Sequence, residues 1–147
     1  EKMAKAVEQG AREAGANVRL KKVDEAALSD LEWADGIIIG SPTHFGTMSA
    51  KATAFLEQSS KVMGKLENKV GAAFTSSGGT DTGAESTILS LITAMIEHEM
   101  MIVSAPKQQR GWPGRYGAIA VGSPDEKALD NCKKLGKRVA DVAKKLA

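Results

Sequence analysis

The stretch I-I-I-G-S-P-T-H-F-G-T-M-S, residues 37–49, sends three branched apolar residues straight into a loop-like run holding two glycines, a proline, a histidine and a phenylalanine. A short apolar run without alternation is the signature of a strand covered on both faces, as in a parallel sheet. Similar runs recur at residues 70–74, 101–105 and 118–121. Between them lie helical patterns at 48–60, 85–98 and 124–146. In the last of these, Ala128, Leu129, Cys132, Leu135, Val139, Val142 and Leu146 recur every three or four positions. Residues 2–14 set Met3, Ala6, Val7 and Ala14 on one face of a further helix, with Gly15 placed to end it. Residues 18–23 begin by alternating apolar and polar, which predicts an edge strand. Residues 24–34 predict a short helix or ordered connection capped by Asp24. This order of strand and helix predicts an α/β protein with helices on both sides of a parallel sheet.

The chain has 147 residues, the size of one domain, and 42% of them are hydrophobic, enough for one core. No apolar run approaches the roughly 20 residues that a membrane-crossing helix needs. Nothing resembles a signal peptide, so a cytoplasmic location without membrane insertion is expected. The single cysteine, Cys132, has no internal disulfide partner, and no Cys/His group has zinc-ligand spacing, so no metal is expected. The net charge is +2, with the positive residues concentrated at 127–145. No aromatic residues interleave with them to stack on bases, so that cationic stripe reads as the solvated face of the last helix and not as a nucleic-acid surface.

In open α/β sheets, ligands bind beyond the carboxyl ends of the strands. The search therefore narrows to the loops after Gly40, Phe74, Ala105 and Gly122. Two of these, residues 41–48 and 75–83, combine glycine, which lets a ligand approach the backbone, with hydroxyls that donate or accept hydrogen bonds. Phe45 either faces a ligand in the first loop or caps the core. No phosphate-binding G-x-x-x-x-G-K-[ST], G-x-G-x-x-G or G-x-S-x-G pattern is present. Nothing orders Ser41, His44 and Glu85 into a triad. The acidic Asp81 and Glu85 are explained by the start of a helix.

Residues 37–49, followed by Phe55-Leu56-Glu57-Gln58, resemble the second flavin loop of flavodoxin-like proteins, in particular the WrbA-type NAD(P)H:quinone oxidoreductases. Gly64-Lys65-Leu66 with residues 74–78 is similar to the family's next strand and third flavin loop. Residues 85–88 are similar to the helix start that follows, residues 98–103 to a His-Gly-Met stretch, and Tyr116-Gly117-Ala118 to the late strand. The resemblance implies a three-layer flavodoxin-like fold, one domain over residues 1–147, with a parallel sheet of order 2-1-3-4-5. It also implies that the first strand and its phosphate loop precede residue 1, leaving residues 18–23 as an edge strand beside a vacant central slot.

The same resemblance implies FMN as cofactor, NADH or NADPH as electron donor, and a quinone or similar small molecule as acceptor. Pro42, Thr43, His44, Phe45 and Gly46 would wrap the flavin ring, and Ser76, Ser77, Gly78, Gly79 and Thr80 would hold its other edge. His98 would polarise or protonate a quinone oxygen, or else serve as a capping or core histidine. Assembly into dimers or tetramers is implied as well. Three departures stand out. His44 replaces the usual arginine, residues 59–66 lack the family's tryptophan, and residues 81–83 are more acidic than the usual glycine run. Trp112 and Tyr116 are candidates to replace that tryptophan or to make a subunit contact. An electron carrier docking to partner proteins is the alternative. Such carriers are markedly acidic, and a pI near 8.7 tilts against it. A flavin-free scaffold is the third reading.

Overall fold

A computed structural model describes residues 1–106 and 114–147. The elements in chain order are α1 (Lys2–Glu13), α2 (Leu28–Trp33), β1 (Gly36–His44), β2 (Thr47–Met48), α3 (Ala50–Ser59), β3 (Val70–Ser77), α4 (Ala84–Glu97), β4 (Met101–Ile102), β5 (Ala118–Val121) and α5 (Glu126–Leu146). β3 pairs in parallel with β1 on one side and with both β4 and β5 on the other. β2 folds back antiparallel on the end of β1, so the sheet is mixed.

Alternation along the strands sorts the core into two halves. Ile37 and Ile39 of β1, Ala73 of β3 and Ile119 of β5 face Leu31 of α2 and Ile88, Leu91, Ile92 and Met95 of α4. Val70 and Ala72 of β3 and Ala118 and Ala120 of β5 face Met3, Ala6 and Val7 of α1 and Cys132, Leu135 and Val139 of α5. Helices thus cover both faces of the sheet, giving the expected three-layer α/β fold. Burial pushes the Cys132 thiol up to about 12, which leaves it an inert part of that second layer.

β4 and β5 occupy a single edge position. Met101 and Ile102 sit opposite Val70 and Gly71, and residues 118–121 resume opposite Phe74 to Ser77. The run expected over 101–105 is therefore a two-residue strand, because the chain leaves the ladder after the Val103 N–H reaches Gly71 O at 2.9 Å. It returns at Gly117, where a Cβ would lie 2.3 Å from Ala73 O, so only glycine allows the approach.

Residues 18–23 form no strand, contrary to expectation. A strand needs a ladder partner, and among the described residues β1 pairs only with β2 and β3. Side chains hold the segment instead. The Arg19 guanidinium lies 3.9 Å from the centre of the Trp33 ring. Arg19 and Lys21 both pair with Asp30, at 3.2 and 2.8 Å. The Lys21 ammonium, followed by the Ala27 N–H, holds the Asp30 carboxyl at about 2. Asp24 caps no helix; it pairs with Lys51 at 2.8 Å, while Asp30 accepts the Ala27 N–H at the start of α2.

The end of α4 departs from its best local chemistry. The Glu99 N–H reaches Ile96 O at 2.8 Å and the Met100 N–H reaches Met95 O at 3.2 Å, a Schellman ending with Met100 packed in the same apolar cluster as Met95. Glu99 supplies the left-handed residue, with φ +59°, where glycine is preferred. Glu99→Gly is expected to raise stability by about 1 kcal/mol. Urea unfolding with an unchanged slope checks it, and a loss of stability would contradict this account of the cap.

Candidate functional site

The parallel register brings the two glycine- and hydroxyl-rich segments side by side, with Gly40 opposite Phe74, Ser41 opposite Thr75 and Pro42 opposite Ser76. What the sequence suggests as a loop after Gly40 is further strand. β1 runs on to His44, turns at Phe45 and Gly46, and returns as β2, with Thr43 opposite Met48 and His44 opposite Thr47. The two turn residues have φ +49° and +77°. Positive φ at both positions suits the twist of a two-residue hairpin, but asparagine, aspartate or glycine is the usual first residue. Phe45 pays for this conformation with about 1–2 kcal/mol of strain. Nothing is buried in return, since its side chain is fully exposed at 108%.

A hydroxyl network fixes the base of this hairpin. Thr75, fully buried, donates to Ser41 O at 2.6 Å. Its one proton being used, Thr75 accepts from Thr43, whose hydroxyl lies 2.9 Å away. The buried Ser41 hydroxyl donates to Pro42 O at 2.8 Å and accepts the Ser49 N–H at 2.9 Å. Ser49 in turn accepts the Ala52 N–H at 3.3 Å and so caps α3.

In the facing loop, the hydroxyls of Ser77 and Thr82 bond to each other and both reach Gly79 O, at 2.8 and 2.9 Å. Ser77 is buried, so its hydroxyl shapes the loop from within, while Gly78 and Thr80 are exposed and Ser76 and Gly79 are half-buried. The loop ends at Gly83, with φ +95°, directly against the hairpin tip: a Cβ there would lie 2.4 Å from the Gly46 Cα. The Ser86 hydroxyl donates to Gly46 O at 2.5 Å. These last contacts, Gly83 and Ser86 against Gly46, carry no sequence signal beyond a glycine before a helix.

Pro42, Thr43, His44, Phe45, Gly46, Ser76, Gly78, Gly79 and Thr80 thus come together at the carboxyl end of the sheet. His98 does not. It follows α4, a helix of 14 residues whose other end carries Gly83, and so lies about 20 Å from the hairpin along the helix axis. There it is buried, with Nε2 2.7 Å from the Ser59 hydroxyl. Ser59 donates its proton to Leu56 O at 2.6 Å, which makes Nε2 the protonated ring nitrogen and leaves Nδ1 buried without a partner. Within one chain His98 therefore lies apart from the two loops, in the setting of the core-histidine alternative. Trp112 lies outside the described residues, and Tyr116 is half exposed. Among the described residues no group of acidic, histidine or cysteine side chains is arranged to hold a metal ion. A cavity of about 190 Å³ lined by Asp35, Lys69, Val70 and Leu146 lies at the opposite end of the strands.

An exposed aromatic ring on a rigid turn, beside half-buried hydroxyls and glycine backbone, suits a flat heterocycle with hydrogen-bonding edges. FMN presents such a ring, and the residues fit it.

Residues 23–111 match the family model described as NADPH-dependent FMN reductase. An NAD(P)H dehydrogenase (quinone) of Archaeoglobus fulgidus is 38% identical over 99% of this chain and 91% of its own length. A flavodoxin of Aquifex aeolicus is 36% identical over 95% of this chain and 78% of its own. Among solved structures, a WrbA-like flavodoxin from Agrobacterium tumefaciens superposes with a TM-score of 0.82 at 27% identity, covering 98% of this chain and 88% of that one.

Proposed function

Because the chain belongs to the NADPH-dependent FMN reductase family, we propose that it is an FMN-dependent oxidoreductase passing electrons from NADH or NADPH to a quinone. Bound FMN supplies the electron chemistry, and the protein supplies binding, orientation and shielding from water. The observation that carries this reading is Phe45, strained and fully exposed at the carboxyl end of the sheet. Strain without burial in the free protein is the mark of a group held ready for a ligand.

In this reading Pro42, Thr43, His44, Phe45 and Gly46 line one side of the ring. Phe45 excludes water from it by stacking, and the backbone of the turn orients it. Ser76, Gly78, Gly79 and Thr80 line the other side, and Ser77 keeps their loop in shape. His44 is exposed beside the turn, where its imidazole offers a hydrogen-bonding edge to the ring. Among the described residues no helix is long and apolar enough to cross a membrane; work in the cytoplasm on a diffusible acceptor is part of the proposal. Assembly into a homo-oligomer is part of the proposal; Leu89 and Ile96, exposed on the outer face of α4, support it.

Anaerobic oxidation of NADH or NADPH with benzoquinone tests the activity. The expected result is bound FMN and catalytic turnover. Bound FMN with negligible turnover would favour the second reading, an electron carrier, which the likeness to the Aquifex flavodoxin supports; a carrier would instead exchange electrons with a redox protein.

A further inference from the structure

We propose that Ser86 is a positioning residue of the flavin site, acting through the Phe45–Gly46 turn; this rests on the flavin reading above. The Ser86 Oγ lies 2.5 Å from Gly46 O and 2.9 Å from Gly83 O. A serine hydroxyl has one proton to donate. The Gly83 carbonyl already accepts the Thr87 N–H at 3.0 Å and the Thr87 hydroxyl at 2.9 Å. The shorter contact therefore takes the Ser86 proton, and it ties together groups 40 positions apart in the sequence.

Gly46 closes a turn whose first residue, Phe45, sits in the left-handed region that a phenylalanine leaves readily. Two contacts, from the residue that precedes α4 and from its first turn, oppose that relaxation. Gly83 packs backbone to backbone on Gly46, so close that no Cβ fits between them, which fixes the position of the turn. The Ser86 hydroxyl holds the Gly46 carbonyl, which fixes the rotation of the peptide. Ser86 itself is exposed and on the first turn of a well-packed helix, so the fold does not depend on it. Its effect is to hold the Phe45 ring and the turn backbone in one orientation relative to residues 76–80.

The test compares wild type, Ser86→Ala and Ser86→Thr by quenching of FMN fluorescence. Losing one neutral hydrogen bond to the turn is expected to raise the FMN dissociation constant of Ser86→Ala by about three- to ten-fold. Ser86→Thr, which keeps a hydroxyl, is expected to restore it. The visible circular dichroism of bound flavin should change in the alanine variant and return in the threonine variant. In the FMN-free protein, hydrogen exchange at the turn amides should quicken in Ser86→Ala only. Wild-type affinity and dichroism in Ser86→Ala would overturn this role alone, as would a fall in melting temperature without a change in affinity. A wild-type protein that fails to quench FMN would overturn the flavin reading and this proposal together.

Discussion

Phe45→Asn is expected to move stability and flavin affinity in opposite directions. Asparagine adopts the left-handed conformation at the first position of this turn with little strain, so the FMN-free protein should gain about 1 kcal/mol. The side chain removed is fully exposed, so no core contact is lost. FMN binding should weaken by about ten-fold or more, since stacking of a heterocycle on an aromatic side chain contributes about 1–3 kcal/mol. Thermal melts with and without FMN read both effects. Unchanged affinity would place the ring elsewhere, and lower stability would mean that Phe45 packs against something in the free protein.

Gly136→Ala is expected to reverse the usual effect of this change within a helix. Propensity alone would favour alanine by about 1 kcal/mol. A Cβ at position 136 would, however, lie 2.0 Å from Val7 O and 3.1 Å from Ala11 N. Gly10 makes the reciprocal approach: a Cβ there would lie 1.9 Å from Lys133 O. α1 and α5 therefore cross with their backbones in contact, and a methyl group must force them apart. A loss of about 3 kcal/mol or more is expected, a large share of the roughly 5–15 kcal/mol that holds a domain together. Gly10→Ala should cost a similar amount. The double variant should cost less than the sum, because the first change already separates the helices. A stabilising Gly136→Ala, measured in urea, would show that the crossing is looser than described.

The two glycines also mark a limit of sequence reading. Both interrupt good helical patterns, and nothing local distinguishes a glycine needed for a crossing from one merely tolerated. The layered fold was legible because unalternating apolar runs and 3.6-residue patterns are properties of single segments. Residues 118–121 form the strand as read, and α4 falls within one residue of its predicted bounds. Pairing is a property of two segments. Residues 18–23 alternate as an edge strand should, yet among the described residues they meet no ladder partner and are held by Arg19, Lys21 and Asp30.

The site divides in the same way. The strand that ends in Gly40 points to a ligand loop, but Phe-Gly is not a recognised hairpin dipeptide, so β2 was not legible. His98 owed its place beside a quinone to the family resemblance alone, with a capping or core histidine as the alternative; within one chain the length of α4 sets it at the far end of the sheet, where Ser59 fixes its tautomer.

The two-part edge of β3 bears on how this scaffold can diversify. One half of that edge is taken by Met101 and Ile102, the other by residues 118–121, and Gly117 brings the chain back over Ala73 between them. Each half holds its own register against β3, so neither depends on the number of residues in the excursion that separates them. Ala105 belongs to the core, and a Cβ at Gly114 would lie 2.5 Å from Gly117 O, so both anchor the two halves; changes of length between these anchors can be sampled without shifting either register. Evolution, or a library of variants, can use that span as an interchangeable cassette while the hairpin and α4 stay as they are.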